Sequence, residues 1–261
     1  MATHIAPILE RILASRRAFI SELKTESEAL DRSLQSAPPP RDFRQALIGP
    51  GVALIAECKE RSPSGGILQR PYDPVALARR YAAAGASALS VLTEPEFFGG
   101  SLDDLRVVRG AVDVPVLCKD FVVDRVQLIA ARAAGADAVL LIVGILSDIE
   151  LARLHRDASE LGMQALVEVH DEAEVDRALD LRAAIIGINN RDLTRMTTDK
   201  DTTVRLRPRI PPDRIVVSES GIDRRTDVET LHRLGVNAAL IGESLLRAPD
   251  VEAKLRELSG R

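Results

Sequence analysis

The sequence has no tryptophan and only 3% aromatic residues, so it offers no platform on which nucleic-acid bases could stack. Cysteine is almost missing as well. Cys58 and Cys118 are too few for a disulfide framework. There is no excess of positive charge: the net charge is -4, and no basic surface argues for nucleic acid. No apolar run reaches the length of a membrane span. Met1 to Glu10 shows no charged start followed by an apolar stretch, so no secretion signal is expected. The four histidines, His4, His155, His170 and His232, lack metal-ligand spacing, and no Gly-x-Ser-x-Gly elbow occurs. His170 reads as a loop residue. What remains is expected to be a cytoplasmic protein, with no metal, nucleic acid or membrane among its expected partners.

Apolar residues make up 46% and charged residues 28%, an ordinary globular balance, and 261 residues suffice for one large core. Three segments repeat one pattern of helix end, glycine, short link and apolar run. They are Ala83 to Leu92, Ala133 to Ile142 and Arg233 to Gly242, with Gly85, Gly135 and Gly235 where a helix should stop. Gly162 opens a fourth, looser copy. Eight apolar runs are candidate strands: Ala53–Glu57, Ala88–Thr93, Val114–Lys119, Ala138–Val143, Gln164–Val169, Ala184–Asn189, Arg214–Glu219 and Ala238–Gly242. Near-continuous apolarity suits parallel strands covered by helices. Helix starts are legible between them, at Asp73-Pro74, Ser101 to Asp104 and Ser147 to Glu150. Eight strands alternating with helices predict a (β/α)8 TIM barrel over residues 51–261. A doubly wound sheet is the runner-up, but no Gly-x-Gly-x-x-Gly follows the first strand. Residues 1–50 hold a helical pattern from Ile8 to Lys24, broken at Ala37-Pro-Pro-Pro40. They read as an N-terminal helical extension packed on the barrel, in one domain overall.

Barrel enzymes carry their chemistry at the C-terminal ends of the strands. Here Glu57 and Lys59 end the first strand, Lys119 the third, Glu168 the fifth, Asn189 the sixth, and Glu219 with Ser220 the seventh. Strand alternation puts Glu57 and Lys59 on one face. Because barrel layers draw on alternate strands, Glu57, Lys119, Glu168 and Glu219 are predicted to form one charged layer at the top. A lone lysine at a strand end is usually a solvated rim residue, and a lone glutamate a surface partner. Several charges converging on one barrel mouth are costly unless used, which points to a catalytic site. The loops after the seventh and eighth strands, Ser218 to Ile222 and Ile241 to Ser244, predict a phosphate site, with Gly221 and Gly242 allowing close approach of an anion to the backbone.

Several stretches resemble the indole-3-glycerol-phosphate synthase family: Ile55 to Gly65, Leu89 to Glu94 with Phe97 to Ser101, Pro115 to Phe121, Leu166 to His170, Ile186 to Leu193, and Val217 to Gly221. The resemblance runs from about Ala53 to Leu246. It implies a substrate, 1-(o-carboxyphenylamino)-1-deoxyribulose 5-phosphate, and roles by position. Lys119 is the implied general acid at the ketone and Glu168 the implied base in dehydration. Lys59 holds the benzoate carboxylate and donates a proton as the hydroxyl leaves. Glu57, Asn189, Glu219 and Ser220 orient lysines and substrate hydroxyls. Phe98 and Phe121 pack on the aromatic ring, with Ser62 and Arg191 near its carboxylate. Leu193 and Ile241 complete the substrate contacts, while Gly221, Gly242 and Glu243 lie near the phosphate. The resemblance implies no cofactor. The expected quaternary state is a monomer or weak homo-oligomer. Three positions depart from the family pattern: Gly65 where lysine is common, Gly99 where glutamine or asparagine is common, and Glu243 where some members have serine.

Overall fold

Alternating apolar strands and capped helices close into a barrel in the computed structural model, which describes residues 7–63, 65–192, 195 and 197–260. The barrel strands are β1 (Ala53–Cys58), β2 (Ala88–Leu92), β3 (Val116–Lys119), β4 (Ala138–Ile142), β5 (Gln164–Val169), β6 (Ile185–Asn189), β7 (Ile215–Glu219) and β8 (Ala238–Ile241). All pair in parallel with their chain neighbours, and β8 returns to β1 with Ala53 opposite Ala238. The closed barrel excludes the open doubly wound sheet.

The differences from the expected strands lie at their ends. Val114 stays outside β3 because its carbonyl accepts from the Arg41 guanidinium rather than joining the ladder. Val143 opens a short 3-10 turn, Val143–Ile145, instead of extending β4. A small antiparallel ribbon, Arg61–Ser62 against Gly66–Ile67, decorates the loop after β1. The repeated glycines do turn helices into strands: Gly85, Gly135, Gly162 and Gly235 all have positive φ. Asp73 caps its helix through the Ala76 N–H, and Ser147 with Glu150 closes a two-way capping box.

Two apolar layers follow from the alternation of side chains along each strand. The outer layer, between strands and helices, contains Leu54, Ala56 and Cys58 of β1 and Val116 and Cys118 of β3. The inner layer fills the barrel with Ile55, Leu117, Leu140, Leu166, Val217 and Leu240. The leading segment joins this inner layer. The helix Pro7–Thr25 brings Leu9, Ile12 and Leu13, and the four-residue helix Phe43–Ala46 brings Phe43. Between them the helix Ser27–Ser36, not foreseen as a separate element, packs on Arg125–Ala133. Arg41 N–H donates to the buried Asp137 at 2.7 Å, and Arg44 N–H donates to the Gln164 side chain at 2.6 Å. Both partners stand at the starts of strands, so the segment reaches the barrel floor. No helix among the described residues is long and apolar enough to cross a membrane.

Candidate active site

Inward alternation ends each odd-numbered strand on a charge. In β1, Ile55 points into the barrel, and two residues on so does Glu57, followed by Lys59. In β3, Leu117 is followed the same way by Lys119. In β5, Leu166 leads to Glu168, and in β7 Val217 leads to Glu219. The predicted layer therefore forms. Lys119 Nζ lies 2.7 Å from Glu219 Oε2 and 3.6 Å from Glu168 Oε2. Lys59 Nζ donates to Glu57 Oε1 at 2.5 Å. The carboxylates are buried: Glu168 and Glu219 are 2% and 1% exposed.

Such a layer is tolerable only because charges of both signs alternate within it. Burial works against the charged form of Lys119, but Glu219, Glu168 and Glu57 outweigh it and hold the ammonium far above its ordinary pKa. Glu57 is likewise buried, yet Lys59 and Lys119 lower its pKa. Glu168 and Glu219 compete for Lys119 and behave differently. Burial pushes Glu219 up to about 7, only partly offset by Lys119. Glu168 also suffers burial, but Lys119, His170 and Asn189 bring it below the usual carboxylate range. The site thus favours keeping its negative charge on Glu168.

These groups line a cavity of about 440 Å³, within the range of small-ligand sites. Its apolar part is built from Leu92, Leu140, Ile142 and Leu240 with Phe98 and Phe121, whose ring centroids are 6.1 Å apart. Ser62 lines the same cavity, and its Oγ accepts from the Gly65 N–H at 3.0 Å. After β7, Ser220 and Gly221 both have positive φ, 67° and 79°. That turn lets Ser220 Oγ donate to Asn189 Oδ1 at 2.8 Å, and Asn189 Oδ1 also accepts the Arg191 N–H. Asn190 ties the turn to the helix Asp201–Leu206, which precedes β7. Its amide donates to the Ser220 carbonyl, and its Oδ1 accepts from Thr203.

Some placements differ in detail from expectation. Ile241 borders the cavity, but its side chain belongs to the outer layer, so it can meet a ligand only through its backbone. Arg191, expected near the benzoate carboxylate, reaches the segment after β8: its Nη2 is 3.7 Å from Glu243 Oε2. Glu243 also accepts from Arg247 Nε at 2.8 Å. This pairing explains how a carboxylate is accommodated beside an expected anion site. Leu193 lies outside the described residues. Gly99 has a left-handed backbone, and a side chain there would strike Glu60; at Gly65 a Cβ would come 2.8 Å from Ser62 Oγ. Both departures from the family pattern are thus accommodated by neighbouring side chains. Sequence reasoning missed His170 and Arg247. The first does lie in a loop, as expected, but its contacts show only once the next helix is placed, and the second lies past the last motif. Among the described residues, no group of three or more His, Cys, Asp or Glu side chains is arranged to hold a metal.

Fold and site together define a (β/α)8-barrel enzyme with mixed carboxylates and ammoniums at the strand ends and two adjoining backbone loops suited to an anion. The model of the indole-3-glycerol phosphate synthase family matches residues 9–258, and the chain belongs to that family. A relative named indole-3-glycerol phosphate synthase from a Nocardioides species is 48% identical over 97% of this chain and 98% of its own length. Another, indole-3-glycerol phosphate synthase 2 of Streptomyces coelicolor, is 50% identical over 91% of this chain and 92% of its own. Among solved structures, a 3-hexulose-6-phosphate synthase matches with a TM-score of 0.64 at 18% identity, covering 80% of this chain and 99% of that one. That likeness is one of fold.

Proposed function

We propose that this cavity converts 1-(o-carboxyphenylamino)-1-deoxyribulose 5-phosphate to indole-3-glycerol phosphate, carbon dioxide and water. The observation that carries the reading is Lys119 held charged between two carboxylates, one of which, Glu168, is itself held ionised. The conversion needs both states, a charged acid for ring closure and an ionised base for the later dehydration. The aromatic carbon bearing the carboxylate attacks the ketone carbon, and a carbon–carbon bond forms as the carbonyl π pair moves to oxygen. Lys119 Nζ supplies the proton to that oxygen. Carbon dioxide then leaves, and its bonding pair returns to the cationic ring system. In the last step the hydroxyl departs as water with a proton from Lys59, while Glu168 removes a proton from the adjacent ring carbon and the five-membered ring becomes aromatic.

The remaining residues support these steps. Glu57 orients Lys59, which takes the benzoate carboxylate. Glu219 orients Lys119, and Asn189 with Ser220 offers polar contacts to the sugar hydroxyls. Phe98 and Phe121 flank the benzoate ring. The backbone of Gly221 and Gly242 takes the phosphate, with Arg191 close enough to contribute. Incubating purified protein with the anilino-ribulose phosphate tests the reading: indole fluorescence should rise with stoichiometric release of carbon dioxide. No indole product from a folded preparation would defeat it.

A further inference from the structure

His170 follows β5 by one residue, and its position is fixed from two sides. Glu174, in the first turn of the helix Glu172–Asp180, accepts both the His170 backbone N–H at 2.8 Å and ring Nδ1 at 3.0 Å through the same oxygen, Oε2. The other oxygen, Glu174 Oε1, lies against Gly144, where a Cβ would approach it to 2.7 Å. The turn containing Gly144 is clamped in its turn, because Arg177 donates to the carbonyls of Val143 and Leu146. With Nδ1 committed to Glu174, ring Nε2 has one place to go. It stands 3.3 Å from Glu168 Oε1, an ion-pair contact rather than an aligned hydrogen bond, and makes no hydrogen bond to any other group among the described residues.

We propose that His170 is a positioning residue for the base Glu168, holding Oε1 so that Oε2 stays with Lys119 and the cavity. The inference rests on the role proposed above for Glu168. Its chemistry follows from proton placement. Nδ1 bears a proton because it faces an acceptor. A neutral ring would then present the Nε2 lone pair to a carboxylate, which repels it. An ionised Glu168 therefore requires N–H at both ring positions, and the imidazolium supplies a second cation beside Lys119. The charged groups facing the pair are Glu174 from the following helix, Lys119 from β3 and, beyond it, Glu219 from β7. Although burial opposes it, the flanking carboxylates Glu168 and Glu174 push His170 up to about 10. This second cation also explains why the charge settles on Glu168 although Glu219 lies closer to Lys119.

Two measurements test the proposal. The first is nitrogen-15 NMR of the His170 ring in the intact protein without substrate, which is independent of the reaction assignment. Both ring nitrogens should be protonated at pH 8, and Glu168→Gln should lower the titration midpoint by a unit or more, since an adjacent opposite charge typically shifts a pKa by about 1–3 units. The second is the pH dependence of kcat/KM for His170→Gln, read only if wild-type protein turns over the anilino-ribulose phosphate. The acid limb should move up by about one pH unit, with the alkaline limb nearly unchanged and the variant still folded by circular dichroism. A His170 that titrates at its ordinary value and ignores Glu168→Gln would overturn the proposal. So would a His170→Gln variant whose rate falls with the acid limb fixed, since that is the mark of a merely structural residue.

Discussion

Lys119 shares itself between Glu219 and Glu168, and this double pairing makes it both a strong charge and a poor candidate for replacement. Lys119→Ala leaves two buried carboxylates facing each other without their cation. Turnover should fall by about 10²–10⁴ if the lysine is the general acid proposed. The barrel should persist, because the side chain ends at the cavity rather than in either apolar layer; steady-state kinetics beside far-ultraviolet circular dichroism checks both outcomes. The same cluster makes a statement about pH and stability. His170 in the folded protein titrates at about 10, against an ordinary value of about 6.5. A raised basic pKa stabilises the fold fully below the unfolded value and loses that contribution as pH climbs through the folded one. Urea midpoints should therefore decline between pH 6.5 and 10, and His170→Gln should flatten that decline. An equally steep profile in the variant would remove His170 as the cause.

Among the elements, strands were the most legible part of the molecule. β1, β3, β5 and β7 each announce themselves as apolar residues ending on a charge, and the period of two then places Glu57, Lys119, Glu168 and Glu219 on one face. What stayed hidden are contacts made across elements. His170 needs the start of the helix Glu172–Asp180 to bring Glu174 back to it, and Glu243 meets Arg191 only because β6 and β8 flank β7. No spacing along the chain encodes either meeting. The register makes its own prediction through Cys58 and Cys118. Both are buried in the outer layer, and burial pushes the Cys118 thiol up to about 12. Strand β2 separates them, and two strand spacings come to roughly 9–10 Å, beyond the reach of about 7 Å for a disulfide. Native protein should thus react slowly with a thiol reagent at both sites and quickly once unfolded. Cys58→Ala should cost about 1–2 kcal/mol of stability with turnover preserved. Rapid native labelling would mean the inward and outward faces are exchanged. A second prediction concerns the end of β8. A Cβ on Gly242 would strike Glu57 and come within 3.0 Å of Lys59 Nζ. Gly242→Ala should therefore displace the Lys59–Glu57 pair and lower kcat/KM by about 10²-fold, with the fold intact by circular dichroism. Near-normal kinetics would mean that the pair can move without consequence.

Across the whole molecule, the barrel's interior is completed by residues that belong to no barrel strand. Phe43 is fully buried in the inner layer with Leu117, Leu166 and Leu240. Phe43→Ala should cost about 3–5 kcal/mol by urea titration, the usual loss for a core phenylalanine. A cost below about 1 kcal/mol would show that the floor closes without it. The extension's first helix was readable from its periodicity, but the extension's reach was not, since its partners are scattered along the chain. That scatter bears on how the protein is made. The segment before β1 is translated ahead of the barrel strands and helices that it packs against. Lys24 waits for Asp124, 100 residues on, and Arg44 for Gln164, 120 residues on. The inner apolar cluster that holds Phe43 is complete only when Leu240 has been added. Contacts so distant in sequence form slowly. Until the helix Arg125–Ala133 has been made, therefore, Leu9, Ile12 and Leu13 form an uncovered apolar stripe, and this helix is seated well after it is translated.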